Sequence, residues 1–87
     1  MRIHKYVIND EGLPIIFSIY LLHSSIQTNV VSAGFVIVDY DCEKELFSVR
    51  CYGKSSDLKI KSNPNDFKII EHYLNESKEE KFHLFIK

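Results

Sequence analysis

Strict alternation of side chains over residues 46–52, LFSVRCY, is the sequence feature that most constrains how this chain folds. Alternation of this kind is typical of a half-buried β-strand, because successive side chains of a strand point to opposite sides of the sheet. One side carries Phe47, Val49 and Cys51, and the other carries Leu46, Ser48, Arg50 and Tyr52. The pattern therefore predicts a sheet with one covered face and one outer face.

Four further stretches predict strands of the same sheet. Residues 3–10 and 30–40 are rich in β-branched and aromatic side chains, and Gly34 indicates a bulge or a close backbone approach. Residues 14–22 start at Pro14 and favour a strand over a short buried helix. Residues 58–61, LKIK, alternate with Leu58 and Ile60 inward, and after the turn GKSSD they predict a hairpin partner for residues 46–52.

A single helix is predicted after these strands. Asn63 has the chemistry of an N-cap, Pro64 suits the first helical position, and the charge of Asp66 suits the first turn. At helical spacing one side is apolar and the other polar, so one side should pack on the sheet. The apolar side carries Phe67, Ile69, Ile70, Tyr73 and Leu74, and the polar side carries Lys68, Glu71, His72 and Asn75.

The last six residues, FHLFIK, alternate and predict an edge strand or an arm exchanged with a partner. With 87 residues the chain is expected to form one domain, residues 1–87, because so short a chain cannot divide its buried surface between two cores. The predicted fold class is α+β: a mainly antiparallel, five- to six-stranded sheet with one C-terminal helix packed on one face.

Composition and charge narrow the setting in which the protein works. Two cysteines, Cys42 and Cys51, are too few for a disulfide framework, and no secretory signal opens the chain, so a reducing cytoplasm is expected. The longest apolar run, residues 13–22, is about half the length of a membrane span and predicts no membrane segment. A net charge of −1 gives no general attraction to nucleic acid or anionic lipid, so such binding needs a locally basic face.

The nucleophilic and basic side chains admit a catalytic and a structural interpretation. A histidine can activate a hydroxyl or thiol for attack, so the candidate members of a hydrolase or transferase site are His23, Ser24, Ser25 and Cys51. Neighbours in sequence do not set catalytic geometry, however, and Cys51 shares the inward side of its strand, where a cysteine packs as a small apolar side chain. We favour the structural interpretation.

Familiar ligand-binding motifs are incomplete in this chain. Gly53, Lys54 and Ser55 resemble the end of a phosphate-binding loop, but Ser48 stands where the earlier glycine is needed and the segment lies between strands. The acidic residues 39–45 lack the glycine and the final glutamate of a calcium loop. The histidines lack the spacing of a zinc site; they are His4, His23, His72 and His83. We expect no metal and no cofactor.

The outer face of the predicted sheet is the best candidate binding surface. If the helix covers the face with Leu58 and Ile60, the opposite face is basic and contains an aromatic ring, a combination that can hold phosphates and stack a base. Its candidate binding residues are Arg50, Tyr52, Lys59 and Lys61, with Lys54 at the rim. Outward lysines also protect sheet edges from pairing, and the same face suits an acidic protein.

These observations favour a small, non-enzymatic, intracellular protein that binds another macromolecule. The first hypothesis is a homodimeric protein-interaction module of the regulator, inhibitor or immunity type, bacterial or phage in character, whose partners include itself. The alternatives are a nucleic-acid or nucleotide binder that uses the basic outer face, and the hydrolase or transferase described above.

Overall fold

The computed structural model of the protein describes residues 2–26, 28–76 and 85–86. In this part of the chain one helix packs on a β-sheet. The elements are β1 (Arg2–Asn9), β2 (Pro14–Phe17), a 3-10 turn (His23–Ser25), β3 (Val30–Asp41), β4 (Leu46–Tyr52), β5 (Lys54–Ser55), β6 (Ile60–Lys61), α1 (Asp66–Glu76) and β7 (Phe85–Ile86). The main sheet has the strand order β4-β3-β1-β2-β7, and β5 and β6 form a separate two-stranded sheet. The α+β class with a C-terminal helix is confirmed.

The predicted number of strands in the sheet is confirmed only in part. β1 to β4 pair antiparallel with their neighbours, whereas the two residues of β7 run parallel to β2. The rest of the predicted last strand, residues 82–84 and 87, lies outside the described residues. β5 and β6 leave the main sheet because Gly53, with φ of 78°, turns the chain away after β4.

The helix covers one side of the sheet, which we call the helix face. Ile70 and Leu74 of α1 are fully buried in one cluster with residues of the four antiparallel strands, among them Tyr6, Ile8, Ile16, Val36, Val38, Phe47 and Val49. Cys51 packs against this cluster, so the predicted inward side of β4 is confirmed. The apolar side of the helix is narrower than predicted, because Phe67 and Ile69 are each 37% exposed and Tyr73 is half-buried.

The start of the helix is fixed by hydrogen bonds around a buried carboxylate. The helix begins at Asp66, two residues later than predicted, after a turn in which Asn63 Oδ1 accepts from the backbone N–H of Asn65 at 3.1 Å. Asp66 Oδ2 accepts from the N–H of Asn63 at 2.8 Å, as in a capping box. The same carboxylate, 2% exposed, also accepts hydroxyl hydrogen bonds from Tyr6 at 2.5 Å and Ser32 at 3.0 Å. These bonds attach α1 to β1 and β3.

The opposite side of the sheet, which we call the hairpin face, is covered by the β5–β6 hairpin and by the connection between β2 and β3. Its buried apolar residues are Val7, Phe17 and Ala33, and the residues packed on them include Leu21, Ile26, Leu58 and Ile60. The prediction that Leu58 and Ile60 lie under the helix with Phe47 and Val49 is therefore wrong. Residues 58–61 are also not a hairpin partner of β4, because Leu58 and Lys59 lie in a turn and β6 pairs with β5.

Two local features explain where β2 ends and where the backbone of β3 comes close to that of β4. Residues 18–22 are not the predicted continuation of β2: the chain turns at Ser18, whose Oγ accepts from the N–H of Tyr20 at 3.2 Å and whose carbonyl accepts from Leu21 at 3.1 Å. Gly34 lies where the backbone approaches closely, as predicted. A Cβ atom there would lie 2.5 Å from the carbonyl oxygen of Tyr52, so no larger residue fits without movement of β4.

The outer edge of β4, which pairs with no other strand in the described part of the chain, is hydrogen-bonded to side chains of the helix. Asn75 Oδ1 accepts from the N–H of Phe47 at 2.7 Å, and Asn75 Nδ2 donates to the carbonyl of Phe47 at 3.0 Å. Glu71 Oε2 accepts from the N–H of Val49 at 3.2 Å. Helix side chains thus take up backbone groups that an edge strand would otherwise offer to another chain.

Candidate binding face

The hairpin face is covered at one end and exposed at the other. The hairpin and the β2–β3 connection pack on Val7, Phe17 and Ala33, which leaves the opposite end of the face, formed by β1, β3 and β4, without such a layer among the described residues. We call this end the open patch. It consists of the exposed residues Ile3, Leu46, Ser48, Arg50 and Tyr52 and the half-buried Ile37.

A row of rings supports the open patch from within. The ring of Tyr52 stacks on that of Phe35 with centroids 5.6 Å apart and an interplanar angle of 22°. Phe35 contacts His23 edge-on at 6.0 Å, and His23 contacts Phe17 edge-on at 5.5 Å. Tyr52 is 45% exposed at the end of this row, so its ring is held in place while part of it remains available for contact.

The structure separates the five predicted binding residues into two groups. Arg50 and Tyr52 lie together on the open patch, two residues apart on β4. Lys54 and Lys61 are directly opposite each other on the hairpin, and Lys59 lies in its turn with φ of 58°. All five are exposed. The hairpin follows Tyr52 after a single residue, Gly53, so the two groups adjoin in the chain but do not form the single sheet surface that was predicted.

The four predicted catalytic residues are not brought together. His23 is 2% exposed on the hairpin face, where its Nε2 donates to the carbonyl of Gly34 at 2.9 Å. Ser24 and Ser25 are exposed in the same 3-10 turn, whereas Cys51 lies on the helix face. The sheet therefore stands between Cys51 and the other three residues, and His23 holds the β2–β3 connection against the sheet.

The environment of Cys51 stabilises the protonated thiol. Burial raises the pKa of this thiol to about 12, and the nearby carboxylate of Asp66 adds to the effect. Burial, followed by its hydrogen bond to Asp66, likewise raises the pKa of Tyr6 far above its usual value. Because these acids ionise less readily in the folded protein, it loses stability as the pH rises above about 9. A reactive cysteine needs the opposite shift.

Asp57 is a structural residue that sequence reasoning missed. Its carboxylate accepts from the N–H of Ser24 at 2.7 Å and from Ser55 Oγ at 2.9 Å, and it lies 3.7 Å from Nδ1 of His23. Hydrogen bonds from Ser24, with a further one from Ser55, lower the pKa of Asp57 well below its usual range. Asp57 thus joins the hairpin to the 3-10 turn. No motif in the sequence signals this connection, because Ser24 and His23 are distant from Asp57 in the chain.

A concave region lies at the start of the helix. A cleft of about 340 Å³ runs between the β1–β2 turn and α1, with Ser32 and Asp66 among its lining residues. Both side chains are already hydrogen-bonded to each other, and Asp66 accepts further bonds from Tyr6 and Asn63. The cleft therefore presents a satisfied carboxylate and no evident requirement for a ligand.

Within the described residues, no group of three or more histidine, cysteine, aspartate or glutamate side chains could hold a metal ion. His83, one of the four histidines considered above, lies outside that part of the chain. No helix in the described part of the chain has the length and apolar character that crossing a membrane requires.

Comparison of the chain with protein-family models, curated proteins and solved structures finds no match.

The two cysteines should differ sharply in reactivity. We expect a thiolate-selective disulfide reagent at pH 8 to modify exposed Cys42 in Cys51→Ser at least about a hundredfold faster than half-buried Cys51 in Cys42→Ser, because little thiolate forms at Cys51. Denaturant should bring the two rates together. Fast modification of Cys51 in the native protein would contradict its structural role and restore the catalytic interpretation.

Proposed function

We propose that this protein is a non-enzymatic protein-interaction module, of the regulator, inhibitor or immunity type, and that it binds protein through the open patch. One observation carries the proposal: the helix covers one face of the sheet, but the hairpin covers only one end of the other. The uncovered end keeps large side chains in contact with solvent, with Ile3, Leu46 and Tyr52 between 44% and 47% exposed. Clustered apolar surface of this kind is typical of an interaction site.

The chemistry of the open patch suits a protein partner. Tyrosine and arginine are, with tryptophan, enriched among energetically dominant interface contacts, and the patch places Tyr52 and Arg50 on one strand. Ile3 and Ile37, directly opposite each other on β1 and β3, supply an apolar surface beside them. Because Tyr52 is already stacked on Phe35, its ring would lose little conformational freedom on binding.

A non-catalytic role is supported by the contacts of the candidate catalytic residues. His23 uses Nε2 to hold Gly34 and uses its ring to pack between Phe17 and Phe35. Cys51 packs on the helix-face core with its thiol protonated. Each side chain therefore has a structural task in the folded chain, and the two tasks lie on opposite sides of the sheet.

Site-specific cross-linking tests whether the open patch binds protein. A photoreactive amino acid replaces Ser48, which is exposed on β4 between Leu46 and Arg50 of the patch, in cells that naturally produce the chain. The matched control replaces His72, which is 79% exposed on the outer side of α1. We expect protein adducts from position 48 and few from position 72. Equal yields at both positions, or none at position 48, would contradict the proposal.

Nucleic-acid or nucleotide binding is a second candidate function, supported by the lysines of the hairpin. Lys54 and Lys61 face each other across β5 and β6, an arrangement that is unfavourable for like charges unless an anion lies near them. Lys59 in the same hairpin adds a third cation, and exposed Tyr52 nearby could stack a base.

Fluorescence anisotropy with single-stranded RNA and DNA tests this second function. If it is correct, binding at low salt should weaken as salt is added, and Lys54→Glu/Lys61→Glu should reduce affinity at least about tenfold, because two phosphate contacts are lost. Lys44→Glu/Lys68→Glu changes the net charge equally at exposed positions elsewhere. Absence of binding by the unmodified protein, or equal losses in both variants, would rule the function out.

A further inference from the structure

We infer that the open patch joins two copies of this chain, packed face to face about a two-fold axis with the β4 strands antiparallel. This inference rests on the proposed function, since it names the first partner of the same surface. Charge, apolar surface, the bonded edge of β4 and the small net charge support it independently.

Charges on the hairpin face change sign along the strands. Asp39 and Asp41 of β3 point to this face near the β3–β4 turn, in register with Ser48 and Leu46 of the open patch. Arg50 lies farther along β4, and Lys54 and Lys61 follow on the hairpin. A two-fold axis through the patch would place the acidic end of one copy over the basic end of the other. The surface is therefore complementary to itself, as an interface between identical copies requires.

Apolar side chains occupy the region between these charged ends. Ile3 is opposite Ile37 in the β1–β3 register, and Ile37 is opposite Arg50 in the β3–β4 register. Arg50 of one copy faces Asp39 of the other when the two-fold axis lies midway between the levels of these two residues along the strands. The isoleucines would then pack beside the axis, and Tyr52 would border the contact. Burial of these side chains would supply most of the favourable free energy of association, whereas the charges would set the relative orientation of the two copies.

The structure disfavours the other common way in which sheets pair. Edge-to-edge pairing through β4 would require free backbone groups at Phe47 and Val49, but Asn75 and Glu71 already bond them. Packing of one sheet face on another needs none of these groups and separates the sheets by about 10 Å. The bonded edge thus directs association to the face.

Net charge and size set the expected strength of association. At −1 the formal net charge produces little long-range repulsion between two copies. The open patch comprises only six residues, however, and small interfaces are usually weak and transient. We therefore expect a monomer–dimer equilibrium in the micromolar range that weakens as salt is added, because opposite charges meet across the interface.

Sedimentation equilibrium with a charge exchange tests the inference. Arg50→Glu and Asp39→Lys should each weaken self-association at least tenfold, because each places like charges across the interface. An equimolar mixture of the two variants should restore a mixed dimer, since both contacts again join opposite charges. Lys68→Glu, exposed on the helix, should leave self-association unchanged. Circular dichroism is the control that each variant folds, and restoration by mixing cannot arise from a purely intramolecular effect.

The possible outcomes separate this inference from the proposed function. A protein that stays monomeric up to about 500 μM at low salt, where a micromolar dimer would have formed, overturns the inference. So does a dimer that Arg50→Glu does not weaken or that mixing does not restore, because its interface then lies elsewhere. In either case, cross-linking of a different protein to position 48 would still support the proposed function, because that protein would then bind the open patch. If position 48 gives no adducts, the proposed function fails as well.

Discussion

A single buried carboxylate determines how the layers of this protein are arranged. Asp66 accepts hydrogen bonds from Tyr6 on β1, from Ser32 on β3 and from the backbone of Asn63, so the start of the helix is attached to the centre of the sheet. A buried carboxylate is tolerated only when its oxygens are satisfied in this way. Loss of any of these partners would leave the buried carboxylate with too few hydrogen bonds. The hydrogen bonds of Asp66 therefore hold α1 on the helix face.

Once the helix occupies that face, the rest of the chain can cover only the other. Ile70 and Leu74 complete the helix-face core, and Asn75 and Glu71 bond the edge of β4. The hairpin, which turns away from β4 at Gly53, packs with the β2–β3 connection on the remaining face. This second layer is short, so it protects Val7, Phe17 and Ala33 but leaves the patch around Arg50 and Tyr52 exposed. The proposed interaction surface is thus a consequence of how the core is distributed.

Sequence reasoning predicted the parts of this arrangement that depend on local periodicity. The alternation in β4 placed Phe47, Val49 and Cys51 under the helix and Arg50 and Tyr52 outside, and the structure agrees. Alternation shows which residues share a side, but not which side of a sheet a later hairpin will cover, so Leu58 and Ile60 were assigned to the wrong face. The Asp57 contacts and the separation of His23 from Cys51 were equally inaccessible, since they depend on packing between segments distant in sequence.

The open patch exists because the helix and the hairpin lie on opposite faces of the sheet, and methyl nuclear Overhauser measurements on the protein in solution test this placement. We expect close contacts between the methyl groups of Leu58 or Ile60 and those of Val7 or Ala33, because these residues share one packed cluster. Close contacts between Leu58 or Ile60 and Ile70 or Leu74 of the helix would contradict it. They would place both layers on one face and remove the basis for the open patch.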